Sequence, residues 1–141
     1  MKLTPHPRRA RPAHTKPHPN CGGDQSQAGQ AGEQLAARYL EDQGYQVLAR
    51  NWRDPRGELD LVVRRGAELV IVEVRATQGG DRYAPEQTVN RAKQAHVIGA
   101  ARRWLRRAGL EGAPLCVRFD VIGVRLHTGE VVHLRGAFEA P

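Results

Sequence analysis

The stretch GELDLVVRRGAELVIVEVRA, Gly57 to Ala76, holds two apolar runs of strand length separated by five charged or small residues. Side chains alternate faces along a strand. In the second run Leu69, Ile71, Glu73 and Arg75 share one face, and Val70, Val72, Val74 and Ala76 share the other. A strand buried on both faces reads as nearly continuous apolar residues. Glu73 and Arg75 interrupt that pattern at its C-terminal end, roughly 6.5–7 Å apart along the chain. Asp60 interrupts the first run in the same way. A two-residue loop at Gly66 and Ala67, with Gly first as a type II′ turn prefers, pairs Arg65 with Glu68. Counting back along that register sets Asp60 opposite Glu73. Facing residues bring their Cβ atoms to about 4.5–5.5 Å, where like charges repel. A divalent cation is the simplest reason for such a pair, because Mg²⁺ is commonly held by one or two carboxylates plus substrate phosphates. Each acid taken alone reads better as a surface charge than as a ligand, Asp60 as an ordinary strand-edge acid and Glu73 as a partner of Arg75 or of another base; it is their combination on paired strands, with Glu33 on the preceding helix, that points to a site.

The rest of the chain supplies the frame. QAGQAGEQLAARYLEDQGY carries a helical stripe of Gly32, Leu35, Ala36, Tyr39 and Leu40, closed by Gly44 at the position after the C-cap. Glu33 lies at the edge of that stripe. YQVLARNW reads as a strand, followed by a basic turn, RDPRG, that contains Arg53 and Arg56. After the central hairpin come a Gly79–Gly80 loop and a long helix expected to open at Pro85 and run to Gly109. That helix has no acid from Gln87 to Leu110 and holds Arg91, Lys93, Arg102, Arg103, Arg106 and Arg107. LCVRFDVIGV and EVVHLRGAF are the last two strands. The order α-β-β-β-α-β-β describes an α/β fold with a mixed central sheet flanked by helices.

Residues 1–27 read as a disordered basic tail, with residues 28–141 as the folded domain. Five of the nine prolines fall in that tail, and it offers too little apolar surface to offset its ordering entropy. Its His14, His18 and Cys21 resemble metal ligands only loosely, since a structural zinc site needs four ligands on a scaffold that holds them. Two cysteines in 141 residues, with no C-x-x-C pair, exclude a disulfide framework and suit a reducing cytoplasm. No apolar run reaches membrane-spanning length. The net charge is +7 and the isoelectric point about 10.2. That balance favours an anionic partner, nucleic acid first.

GEQLAARYLEDQGYQVLARNWR, GELDLVV, LVIVEVRA and RFDVI together resemble the YraN-like family of small bacterial proteins. That family is similar in pattern to the restriction-endonuclease-like, PD-(D/E)xK, superfamily and to Holliday-junction resolvases within it. The resemblance implies an αβββαβ core and divalent-metal-dependent hydrolysis of phosphodiester bonds, with branched DNA as a candidate substrate. Position by position it implies Glu33, Asp60 and Glu73 as ligands of Mg²⁺ or Mn²⁺, with the Val74 carbonyl as a further ligand. Asp60, Glu73 and Arg75 would be catalytic. Arg75 departs from the pattern, because it stands where the superfamily has lysine, and arginine keeps its proton in proteins. Lys93 is a candidate to replace that lysine and Gln94 to position a water. Arg53, Arg56, Arg75, Arg91, Lys93 and Gln94 would grip nucleic acid. Resolvase-like nucleases act on symmetric junctions as dimers, which makes a homodimer a candidate assembly. Two other functions fit the same sequence: a nucleic-acid-binding module with a degenerate site, and an adaptor whose basic helix docks an acidic protein. Trp52 and Trp104 sit in apolar patterns and read as packing residues rather than base-stacking ones. Asp120 carries no assigned role beyond bracing Arg118 or a helix end.

Overall fold

The computed structural model describes residues 23–78 and 89–141. Its elements are α1 (Gly23–Asp42), β1 (Gln46–Asp54), β2 (Gly57–Arg65), β3 (Glu68–Thr77), α2 (Arg91–Arg107), β4 (Cys116–Arg125) and β5 (Glu130–Phe138). Residues 1–22, which include His14, His18 and Cys21, lie outside the described residues, as do the Gly79–Gly80 loop and Pro85. α1 begins at Gly23, within the stretch read as tail.

The strands form one sheet in the order β1-β2-β3-β4-β5. β3 and β4 run parallel, joined through α2, and the other neighbours are antiparallel. The αβββαβ core is therefore present, with β5 added at one edge. β3 alternates as its sequence requires. Leu69 and Ile71 join Leu59, Val62, Phe119 and Val121 under Val97, Ala101 and Trp104 of α2. Val70 and Val72 join Leu61, Val63, Ile122 and Val124 under Ala36, Ala37 and Leu40 of α1. Both faces of β3 are covered, which is the condition that demands an uninterrupted apolar run.

The turns follow their local chemistry. Arg65 pairs with Glu68, and Gly66 takes φ +60°, so the central hairpin closes on Gly66–Ala67 as expected. α1 ends in a Schellman arrangement: Gly44 sits at φ +90° and Tyr45 N–H donates to the Leu40 carbonyl at 3.1 Å. Two boundaries differ from expectation. β1 continues through Arg53 to Asp54, so Arg53 stands in the strand opposite Glu58 and the turn is only Pro55–Arg56. Asp54 makes this tight turn possible, because its Oδ1 accepts the Arg56 N–H at 3.0 Å. α2 starts at Arg91 rather than at Pro85. Asn90 is extended and caps the helix, its side chain accepting from Lys93 N–H at 2.9 Å. An Asn cap outcompetes a distant proline as a start signal because it satisfies an amide that the helix leaves open. The two tryptophans pack: Trp104 is buried, and Trp52 lies against the same cluster with Arg107 over its ring.

Asp120 has a structural role. It is fully buried on the α1 face of β4. Its carboxylate accepts from Arg118 Nε at 2.8 Å and Nη2 at 2.9 Å, from His133 Nε2 at 2.6 Å and from Gly136 N–H at 2.9 Å. Arg118 in turn meets Glu68 and Tyr45, and His133 Nδ1 lies 3.2 Å from Tyr39 Oη. The network ties α1, β3, β4 and β5 together. Burial alone would raise the Asp120 carboxyl, but the hydrogen bonds from His133, Arg118 and Gly136 outweigh it and hold the group at about 2. Its stabilisation is therefore complete above the ordinary aspartate range and is lost as pH falls toward 2. Asp120→Asn should cost about 3 kcal/mol at neutral pH by urea unfolding. That deficit should shrink between about pH 5 and about pH 2 as the wild-type carboxylate protonates.

Candidate nucleic-acid-cleaving site

The ladder between β2 and β3 runs over five pairs, from Arg65–Glu68 to Leu61–Val72. The next position along that register sets Asp60 against Glu73. Here β2 departs from simple alternation. Leu59 packs under α2 while Leu61 packs under α1, although strict alternation would put both on one face. On the other side of β2, Asn51 lies across from Asp60 between the Arg50–Leu61 and Trp52–Leu59 pairs, and it takes a left-handed φ of +47°. The break leaves the Val74 amide in need of a partner. The Asp60 carboxylate supplies one, with Oδ2 accepting from Val74 N–H at 2.8 Å.

This interaction fixes the Asp60 carboxylate beside that of Glu73. Glu73 lies on the α2 side of β3, its side chain 12% exposed, and Lys93 Nζ reaches it at 3.5 Å. Burial raises the Asp60 carboxyl above its ordinary range, against the Val74 hydrogen bond, the contact with Glu73 and the charge of Lys93. Glu73 is pushed up to about 7, first by burial and then by the Asp60 charge and hydrogen bond, with Lys93 opposing. Glu73 is thus the member of the pair that holds a proton near neutrality. Among the sequence candidates, Asp60, Glu73, the Val74 backbone and Lys93 are brought together.

Glu33 approaches from α1. Gly32 permits this, since a Cβ there would lie 2.7 Å from the Ala76 Cβ, so the helix rests directly on the end of β3. Burial raises the Glu33 carboxyl; a hydrogen bond to Asn51 opposes that, and the charges of Asp60 and Glu58 add to it. Glu33, Asn51, Gln30, Gln34 and Arg50 line a recess of about 220 Å³. Glu33 therefore feels the charge of Asp60 but is held by Asn51. Among the described residues no three His, Cys, Asp or Glu side chains are grouped closely enough to hold a metal ion. The donor set that does converge is two carboxylates, which are hard oxygen ligands of the kind Mg²⁺ and Mn²⁺ take when phosphate completes the shell.

The basic candidates divide. Arg75 is half-buried on the same face of β3 as Glu73, opposite Gly123. Arg53 pairs with Glu58 at 3.3 Å on the exposed strand, and Arg56 stands exposed at the hairpin tip. Arg91 is exposed at the start of α2. Gln94 is occupied in holding that start, with Nε2 donating to the Val89 carbonyl at 2.7 Å. Arg103 is committed to Asp54, which locks the β1–β2 hairpin onto α2. Among the described residues, recesses of about 730 Å³ along the β1 edge and about 600 Å³ between α2 and β4 lie elsewhere. The acid pair is absent from their linings. Sequence reasoning missed two residues of the site. Asn51 had a signal, being a residue type that tolerates left-handed backbone. Asn90 had another, as a capping residue three before Lys93.

The family model described as uncharacterised protein family UPF0102 matches residues 32–124. The chain belongs to this family. It is 46% identical over 121 residues to a UPF0102 protein of Anaeromyxobacter dehalogenans (strain 2CP-C), covering 83% of this chain and 88% of the relative. It is 49% identical over 115 residues to one of Frankia alni (strain DSM 45986 / CECT 9034 / ACN14a), covering 78% and 92%. A third, from Rhodococcus jostii (strain RHA1), is 39% identical over 113 residues, covering 78% and 94%. The match spans α1 to β4, so the elements that carry Glu33, Asp60, Glu73 and Lys93 all lie within the family's shared segment. Among the described residues, no helix is long and apolar enough to cross a membrane.

The raised Glu73 carboxyl has a consequence for stability. Between its ordinary range and about pH 7 the folded chain keeps a proton that the unfolded chain has released, so this group's contribution falls as pH rises through that window. In chelator-treated buffer, Glu73→Gln should therefore be more stable than wild type at about pH 8. The difference should vanish near about pH 4, as read by urea midpoints across the range.

Proposed function

We propose that this UPF0102 chain is a divalent-metal-dependent endonuclease that hydrolyses phosphodiester bonds in nucleic acid. The observation that carries the proposal is the Asp60–Glu73 pair. Two carboxylates are set side by side where β2 and β3 part, with a lysine at 3.5 Å and the start of a basic helix beside them. Two carboxyls raised by burial in one place, one of them raised further by its neighbour, cost stability and point to a functional site. Asp60 and Glu73, with the Val74 carbonyl, would hold Mg²⁺ or Mn²⁺, and the bound ion would supply Lewis acidity and an acidified water. Glu33 would orient this shell through Asn51. Arg75 offers a permanent positive charge for the scissile phosphate. Arg53, Arg56 and Arg91 would hold flanking phosphates, a contact set that carries affinity without sequence preference. Branched DNA is the first substrate to try, on the resemblance to resolvases.

A second reading has an observation of its own. Arginine occupies the strand position of the superfamily lysine, and Glu33 is held by Asn51. A chain with those features could bind structured nucleic acid without cutting it. Its binding would then be salt-sensitive and indifferent to metal.

The test is Asp60→Asn. The amide oxygen still accepts the Val74 N–H, so the fold should be retained, while the charge is lost. With Mn²⁺ and branched, duplex and single-stranded DNA or RNA, wild type should cleave at least one substrate. Asp60→Asn should be about 10²-fold slower or worse, with unchanged circular dichroism and retained binding. Equal cleavage by the two proteins would refute the site. Metal-indifferent binding by both, with no cleavage of any substrate, would establish the binding module.

A further inference from the structure

We propose that Lys93 is a built-in counter-cation of the Asp60–Glu73 pair, which a divalent ion must displace before its ammonium can turn to the substrate phosphate. This rests on the reading above and gives the site a gate. Lys93 Nζ stands 3.5 Å from Glu73 Oε1, and its charge acts on Asp60 as well. It therefore occupies the place on the acid pair that a metal would claim. Its base is fixed while its tip is not. The Asn90 side chain binds the Lys93 amide at 2.9 Å, and Gln94 clamps the Val89 carbonyl immediately before the cap. The Lys93 side chain is 40% exposed, against 12% for Glu73, so the ammonium can leave along its flexible stem without unpacking anything.

The charge balance gives the direction of movement. Two carboxylates carry at most two negative charges. With an ammonium in place they are partly neutralised, and adding a divalent ion beside it leaves an excess of positive charge in a half-buried site. The ammonium then moves to the nearest anion, which in the working complex is the phosphate. A compact ammonium with three rotatable donors can make that move; the planar guanidinium of Arg75 is a different tool, suited to fixed bidentate contact. No bond is made or broken in this exchange.

The experiment is calorimetric titration of Mn²⁺ alone into the full chain, for wild type, Lys93→Met, Lys93→Arg and Asp60→Asn. Methionine keeps the apolar stem and removes the charge. The expected result is that Lys93→Met binds Mn²⁺ on the order of tenfold more tightly than wild type, the scale of one partly exposed ion pair. Lys93→Arg should bind like wild type and Asp60→Asn not at all. At saturating Mn²⁺, Lys93→Met should nonetheless cleave more slowly than wild type. A merely structural lysine would weaken binding and cleavage together. Lys93→Met binding no more tightly than wild type, with Asp60→Asn still null, overturns the gate and leaves the site standing. Failure of every protein to bind Mn²⁺, both alone and with a phosphorothioate DNA duplex present to complete the shell, removes both.

Discussion

A strand buried on both faces tolerates charge only where a neighbour releases it. β3 is such a strand, and the Asp60–Val74 hydrogen bond marks the point of release. Up to Leu61–Val72 the β2–β3 ladder uses backbone partners. Beyond it a carboxylate takes over as acceptor for the Val74 amide. That substitution satisfies a buried donor, as the interior requires, and in the same act holds an acid against Glu73. α1 approaches over Gly32, and α2 arrives by its capped first turn. The candidate site is the meeting point of these three departures from regular structure.

Two buried carboxyls in this fold are treated in opposite ways. Asp120 is given four hydrogen bonds, from Arg118, His133 and the Gly136 amide, and is held at about 2. Glu73 is given a like charge as neighbour and one half-exposed ammonium, and is driven to about 7. The first arrangement is what stabilising structure does with a buried acid: it satisfies every lone pair and ties separate elements together. The second leaves the acid under-compensated, which makes sense for a group that is meant to exchange partners. The two sit at neighbouring levels of the β3–β4 ladder, Asp120 beside Val72 and Glu73 beside Val121, with Asp120 on the α1 face and Glu73 on the α2 side.

Much of the fold could be read without coordinates because it rests on local rules. Gly66 sets the central hairpin, Gly44 ends α1, and the apolar alternation of β3 assigns its two faces; all three appear in the structure as read. The misplaced boundaries share one cause. Composition alone assigns Arg53 to a turn and Pro85 to a helix start, because it carries no information on which side chain caps which amide. In the structure, Asp54 and Asn90 each bind a nearby backbone amide; β1 runs two residues past Trp52, and α2 begins six residues after Pro85. The Arg118 contact of Asp120 is legible two residues away and is present, but the rest of its network is not: His133 and Gly136 reach it from another strand, and nothing local announces that.

The sequence by itself determined the αβββαβ order, the covered central strand and the register that sets Asp60 against Glu73, because these follow from alternation, turn chemistry and loop length within a few residues. Tertiary structure alone decided that Lys93 is the cation on that pair, that Asn51 holds Glu33 and that Gln94 faces the Val89 carbonyl. Such choices depend on how a helix seats on a sheet and on which donors that seating leaves without partners. A sequence lists the donors and acceptors, but only packing in three dimensions says which of them meet.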